Sequence, residues 1–146
     1  MQTFLPYPSF PKSAACLDRQ RLGKQRVEAW QILRALDGTT KGWRNHPATK
    51  MWAGYEAALA TYGLVICYEW AGRGYVDNMA PRFQPYILNG SPEGYKLPPW
   101  FGSPAFHSSH RSQLLHKSDH YLQFGWTEQP GAPYLWPSDK TDANAI

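Results

Sequence analysis

The chain has 146 residues, 42% of them hydrophobic and 18% charged, which suits one globular domain and excludes an intrinsically disordered chain. A formal charge of +4 favours a polyanionic partner such as nucleic acid without identifying one. The longest apolar run, "LVICYEWA", is too short to span a bilayer, and no leader-like segment is recognised, so a cytoplasmic, monomeric protein is expected.

In chain order, residues 1–12, "MQTFLPYPSFPK", are broken by proline and are expected to be extended. From about Ser13 to Leu36 the spacing predicts a helix, with Leu22, Ala29, Ile32, Leu33 and Leu36 on one apolar arc. Gln20, Arg21, Lys24, Gln25, Glu28 and Gln31 fall on the opposite arc, and Asp37-Gly38 supplies a stop. The basic loop "GTTKGWRNH" follows, and Pro47 suits the first turn of a second helix running to about Tyr75. That helix is apolar nearly all round and is expected to cross the centre of the domain.

Residues 75–102 show no sustained period and read as one long loop with five prolines, pinned by aromatic side chains. Ser103-Pro104 looks like a cap and first helical position, opening a third helix through Lys117. An aromatic, proline-rich tail comes next, and residues 138–146 are expected to fray. The fold class is therefore all-α: a compact single domain, residues 1–146, of three main helices with long loops. Cys16 and Cys67, in no metal-like spacing, are expected to be buried reduced thiols.

The first helix carries the most telling chemistry. Six cationic or amide side chains occupy the eight positions 19–26, ahead of a single acid, Glu28. Arg21, Lys24 or Gln25, and Glu28 converge on one face by their i, i+3/i+4, i+7 spacing. Two readings remain open: a solvated face with intrahelical ion pairs, or an anion-binding face around a general acid or base. Arg44, Asn45 and His46, just ahead of Pro47, suggest a phosphate site at a helix start, although His46 could simply cap that helix. His107, His110, His116 and His120 invite a metal reading, and His107 and His110 have the spacing of a zinc pair, but no carboxylate or cysteine nearby completes a set. The remaining readings for these histidines are core or capping roles, or, for His110 with Arg111 and Lys117, contacts to a DNA backbone.

The run "LDRQRLGKQRVE" after a short proline-containing start resembles the signature of the pyrimidine-dimer DNA glycosylases, the phage endonuclease V-like family. In bacterial relatives a similar Leu-Asp-Arg-Gln run precedes the catalytic glutamate, ten positions after the aspartate; here these are Asp18 and Glu28. The "GWRNHP" loop, the "HRSQLLHKSDHY" stretch and the aromatic tail also resemble that family, so the likeness spans nearly the whole chain. Two positions depart from its pattern: Gln2 and Val27 stand where relatives often carry arginine, and Arg26 lies one step earlier.

The resemblance implies a glycosylase with AP-lyase activity on damaged or modified pyrimidines in duplex DNA. It implies an N-terminal amine nucleophile, here that of Met1, and a carboxylate, Glu28, that assists β-elimination. An α-amine has a reference pKa of about 7.7–8.0, which leaves more neutral amine at pH 7 than a lysine near 10.4. The DNA contacts expected on this reading are Arg21, Lys24, Gln25, Arg26, Arg44, Asn45, His46, His110, Arg111 and Lys117. No cofactor or metal is implied. A DNA-binding protein without lesion chemistry, or a glycosylase for another modified base, are the rival readings.

Overall fold

The computed structural model describes residues 1–88 and 95–137, and the expected frayed tail, 138–146, lies outside the described residues. The fold is all-α, with no strand among the described residues. Helix α1 spans Phe10–Cys16, α2 Arg19–Leu36, α3 Pro47–Lys50, α4 Glu56–Gly72, α5 Ala80–Leu88 and α6 Pro104–Lys117, followed by a 3-10 helix, Asp119–Phe124.

The first predicted helix is in fact two. Ser9 caps α1, its hydroxyl accepting from the Lys12 N–H at 3.2 Å, so the helix begins ahead of Ser13. It ends where Leu17 and Asp18 turn extended. A partner 103 residues away holds the break: the Asp18 N–H donates to the Tyr121 hydroxyl at 3.1 Å, and that hydroxyl donates back to the Asp18 carboxylate. Arg21 Nη1 reaches the same carboxylate at 3.2 Å. Burial opposes ionisation of Asp18, but these hydrogen bonds outweigh it and hold its pKa below the ordinary aspartate value.

The apolar arc of α2 packs as its spacing dictates, with Leu22, Ala29, Ile32 and Leu33 fully buried against α4. Gly23 permits the approach, since a Cβ there would lie 3.0 Å from the Trp70 ring. The predicted second helix breaks at Gly54, whose φ of +86° suits glycine, leaving the one-turn α3 and the longer α4. Helix α4 is central as expected, packing on α1, α2 and α5. Gly74, with φ +95°, closes it.

The loop reading of 75–102 needs correction, because α5 lies within it. The Asp77 carboxylate accepts from the Ala80 N–H at 2.9 Å, and Pro81 sits in the first turn, where its missing N–H costs nothing. Pro85 removes one intrahelical bond, yet tertiary packing overrides that loss. Phe83 is fully buried against Gly63 of α4, where a Cβ would come within 2.4 Å of its ring. Helix α6 runs over the predicted residues, although the Ser103 side chain makes no capping bond.

The chain start forms no helix before Phe10, as its prolines suggest, and residues 2–5 pass through the interior as a single buried irregular segment. With no sheet to join, its backbone is satisfied by side chains. Phe4 N–H donates to Gln25 Oε1 at 3.0 Å, and Leu5 N–H to His110 Nδ1 at 2.9 Å. His107 Nδ1 donates to the Leu5 carbonyl at 2.7 Å, while its Nε2 accepts from the Gly102 N–H at 2.9 Å. Arg111 Nη1 donates to the Pro6 carbonyl at 2.7 Å.

Candidate active site

This clamped segment delivers Met1 to the polar face of α2. A cleft of about 380 Å³ is lined there by Met1, Gln2, Arg21, Lys24 and Glu28, with Lys117 from the end of α6 and Tyr134 from the tail closing its sides. Gln20, Phe4 and Gln25 complete the wall.

Among the described residues Glu28 is the only carboxylate lining that cleft, and its side chain is 12% exposed. Its Oε2 accepts from Gln25 Nε2 at 2.9 Å. Its Oε1 faces Lys24 Nζ at 3.9 Å, a loose pair because the lysine is 73% exposed. One carboxylate oxygen is thus fixed by a neutral amide, and the other has only a mobile, hydrated cation.

Gln25 is better placed than a surface helix residue and worse placed than a DNA contact. It is 1% exposed, and all its polar capacity is used inside the protein. Besides Glu28, its Nε2 donates to the Gln2 carbonyl at 2.9 Å. Its Oε1 accepts from Phe4 N–H and from the Tyr62 hydroxyl, the latter at 2.6 Å. The i, i+3, i+7, i+10 row Leu22, Gln25, Ala29, Ile32 already places it on the buried stripe.

Several other expected DNA contacts are corrected by their partners. Arg26 pairs with Asp77 at 2.7 Å and lies 4.6 Å over the Trp70 ring, which pins α2 to the segment before α5. Arg111 pairs with Glu128 at 2.8 Å as well as holding Pro6. His110 is 1% exposed, and burial, with His107 beside it, pushes its pKa down to about 3. Both histidines are therefore neutral backbone clamps, which also leaves neither ring free for a metal.

His46 resolves toward the capping alternative, since its Nδ1 accepts from the Ala48 N–H at 3.0 Å. The helix it caps is a single turn, too short to build the expected phosphate site from backbone dipoles. Its ring stands edge-on to Trp43 and Trp136. Burial and then the positive charge of the chain's own amine lower its pKa, so that amine lies within electrostatic reach. Arg44 and Asn45 are exposed in the loop before it, and Arg44 makes no ion pair among the described residues.

Sequence reasoning missed Tyr134 and Gln2 as walls of the cleft. It also missed a second groove of about 570 Å³ on the neighbouring face of α2, where Trp30 and Trp43 meet Arg34 and Arg82. The Arg34 and Arg82 guanidiniums lie 5.9 Å and 5.8 Å from the Trp30 ring. The i, i+4 pair Trp30–Arg34 was visible in the sequence; the contribution of Arg82 required α5.

A family model described as pyrimidine dimer DNA glycosylase matches residues 1–82, more than half of the chain. The chain belongs to that family. The matched region contains the whole of α2, the chain start that faces it and the loop that holds His46. No curated protein and no solved structure matches the chain. Membership in a family of pyrimidine dimer DNA glycosylases implies DNA as the partner. No described helix is long and apolar enough to cross a membrane.

Proposed function

We propose that this protein is a DNA glycosylase with AP-lyase activity on damaged pyrimidines in duplex DNA, using the α-amine of Met1 as nucleophile and Glu28 as its carboxylate. One observation carries the reading: a single cleft is lined by Met1, by Glu28 and by Arg21, Lys24 and Lys117. The neutral amine attacks C1′ of the damaged nucleotide and the base departs. Loss of a proton from nitrogen and opening of the sugar ring leave an imine. Glu28 then takes a proton from C2′, and the 3′ phosphate leaves in the β-elimination.

The cations have a separate task. Lys24 and Lys117 on two sides of the cleft, with Arg21 and the exposed Arg44, hold the flanking phosphates, while Asn45 can donate from the same loop. Imine formation requires neither metal nor redox group.

Borohydride reduction in the presence of a duplex with one abasic site tests the reading. A covalent adduct is expected, and peptide mapping should place it on Met1. Intact mass of the purified protein establishes first that Met1 is its amino terminus. Mapping of the adduct to Lys24 or Lys117 would remove the α-amine from the nucleophile role. Absence of any adduct would favour a DNA-binding protein without lesion chemistry.

A further inference from the structure

Three buried polar side-chain atoms lack a partner among the described residues: Gln2 Nε2, Arg26 Nε and Thr49 Oγ1. Only Gln2 lines the cleft with Met1 and Glu28. Gln2 is 5% exposed, and its orientation is determined by its neighbours. Its Oε1 accepts from the Thr3 N–H at 2.9 Å, and its carbonyl accepts from Gln25 Nε2 at 2.9 Å. Turning the amide over would set N–H against N–H, so the unpartnered atom is the nitrogen, with its two donors. A buried donor left without an acceptor is costly and rare in native folds, and at a functional site it calls for a ligand.

The position of this donor in the cleft says which acceptor. Gln2 lines the same cleft as Met1 and Glu28, so the acceptor is sought on the nucleotide that the α-amine attacks. As the nitrogen pair of Met1 forms the bond to C1′, the bond from C1′ to N1 of the base breaks. Its electron pair passes to the base and spreads over N1, C2 and O2, until water protonates the departed ring. O2 lies on the sugar side of a pyrimidine, three bonds from C1′, and gains charge as the bond breaks. An uncharged donor can stabilise that oxygen without competing for Glu28 as a cation would.

We infer that Gln2 Nε2 donates to O2 of the target pyrimidine and stabilises the departing base, an inference that rests on the amine chemistry proposed above. Gln2 is then a contact of the excision step alone, because an abasic site has no base to stabilise.

The experiment measures two rates on each protein: single-turnover excision from a duplex carrying one cyclobutane thymine dimer, and borohydride trapping on the same duplex carrying one abasic site. In Gln2→Met and in Gln2→Glu, the ratio of excision to trapping should fall about 100-fold, the usual loss for one oxyanion donor. Gln2→Glu keeps an acceptor for Thr3 and supplies the ratio if Gln2→Met does not fold. General damage to fold or DNA affinity lowers both rates together, so a ratio within threefold of wild type overturns the contact. Wild-type protein that traps but does not excise would overturn the pyrimidine leaving group. Wild-type protein that does neither would overturn the amine chemistry, and this contact with it.

Discussion

Gln25 joins the two halves of the candidate site, donating through one Nε2 to Glu28 Oε2 and to the Gln2 carbonyl, each at 2.9 Å. The carboxylate and the chain start are thus held by a single amide. Its other end is anchored to Tyr62, which burial keeps in its protonated, donating form. Any geometry between Met1 and Glu28 is inherited from this residue.

Gln25→Leu should therefore cost both stability and activity. The substitution nearly preserves volume but strands the buried Phe4 N–H and the Gln2 carbonyl. A loss of about 2–4 kcal/mol in urea unfolding is expected, from unsatisfied groups at about 1–3 kcal/mol each. The rate of trapping on abasic DNA should fall at least tenfold at a temperature where the variant remains folded. An unchanged trapping rate would mean that the amide does not set the spacing of amine and carboxylate.

Glu28→Gln separates chemistry from structure. The change keeps size and can still meet Gln25 through its amide oxygen, so unfolding should shift by no more than about 1 kcal/mol. DNA affinity should hold or rise, since a negative charge leaves the cleft while Arg21, Lys24 and Lys117 stay. Strand cleavage should fall by at least 100-fold. Full cleavage activity would show that Glu28 is only the partner of Gln25 and Lys24.

Much of this arrangement was legible from local pattern. The row Leu22, Ala29, Ile32, Leu33 announced α2, Ser103-Pro104 announced α6, and the lone acid among cations singled out Glu28. What escaped depends on partners far along the chain. The break at Asp18 is held by Tyr121, and α5 survives Pro85 because Phe83 fits against Gly63. His107 and His110 looked like ligands because their true partner, the Leu5 backbone, is more than 100 residues away. Arg26 and Arg111 looked free for the same reason: charge is visible in a sequence, but its neutralisation by Asp77 or Glu128 is not.

Acid should weaken the fold through the histidine clamp before it protonates the structural carboxylates. The folded-state pKa of His110 is about 3, pushed below its ordinary 6.5 by burial, so the unfolded chain binds the extra proton between those values. Stability is then complete above about 6.5 and is lost as pH falls toward 3, on the order of 1 kcal/mol per pH unit. His107, shifted the same way, adds to this slope. Asp18, Asp77 and Glu128 lie below ordinary carboxylate values and contribute only lower, below about pH 4. His110→Gln retains an acceptor for Leu5 N–H and should flatten the melting temperature between pH 4 and 6.5. An equally steep curve in that variant would assign the acid sensitivity elsewhere.

Gly63 should tolerate no side chain. A Cβ at this position would stand 2.4 Å from Phe83 Cε1, deep between α4 and α5, where neither backbone can withdraw cheaply. Gly63→Ala would ordinarily gain helix propensity of about 1 kcal/mol. Overpacking of about 1–3 kcal/mol or more should reverse the sign. Urea unfolding of Gly63→Ala beside the double variant Gly63→Ala/Phe83→Leu checks the cause, since the smaller side chain should recover part of the loss. A stabilised single variant would show that α5 moves freely on α4.

Salt dependence distinguishes the cations that face DNA from those the fold has already neutralised. Lys24, Lys117 and Arg44 are the cations proposed for phosphate, joined by Arg21, which lines the cleft while its Nη1 also reaches Asp18, and three to four contacts give a log–log slope of about −3 to −4 for duplex affinity against salt. Lys24→Ala and Arg44→Ala should each flatten that slope by about one unit, because each removes one phosphate contact. Arg26→Ala and Arg111→Ala behave differently on this argument, since their charges are matched by Asp77 and Glu128. Each should leave the slope within about half a unit of wild type. Each should also destabilise the protein by about 3–5 kcal/mol, the usual cost of stranding one partner of a shielded pair. Fluorescence anisotropy of a labelled duplex at several salt concentrations measures all five proteins. A slope that falls by a full unit in Arg26→Ala would return that residue to the DNA-facing surface.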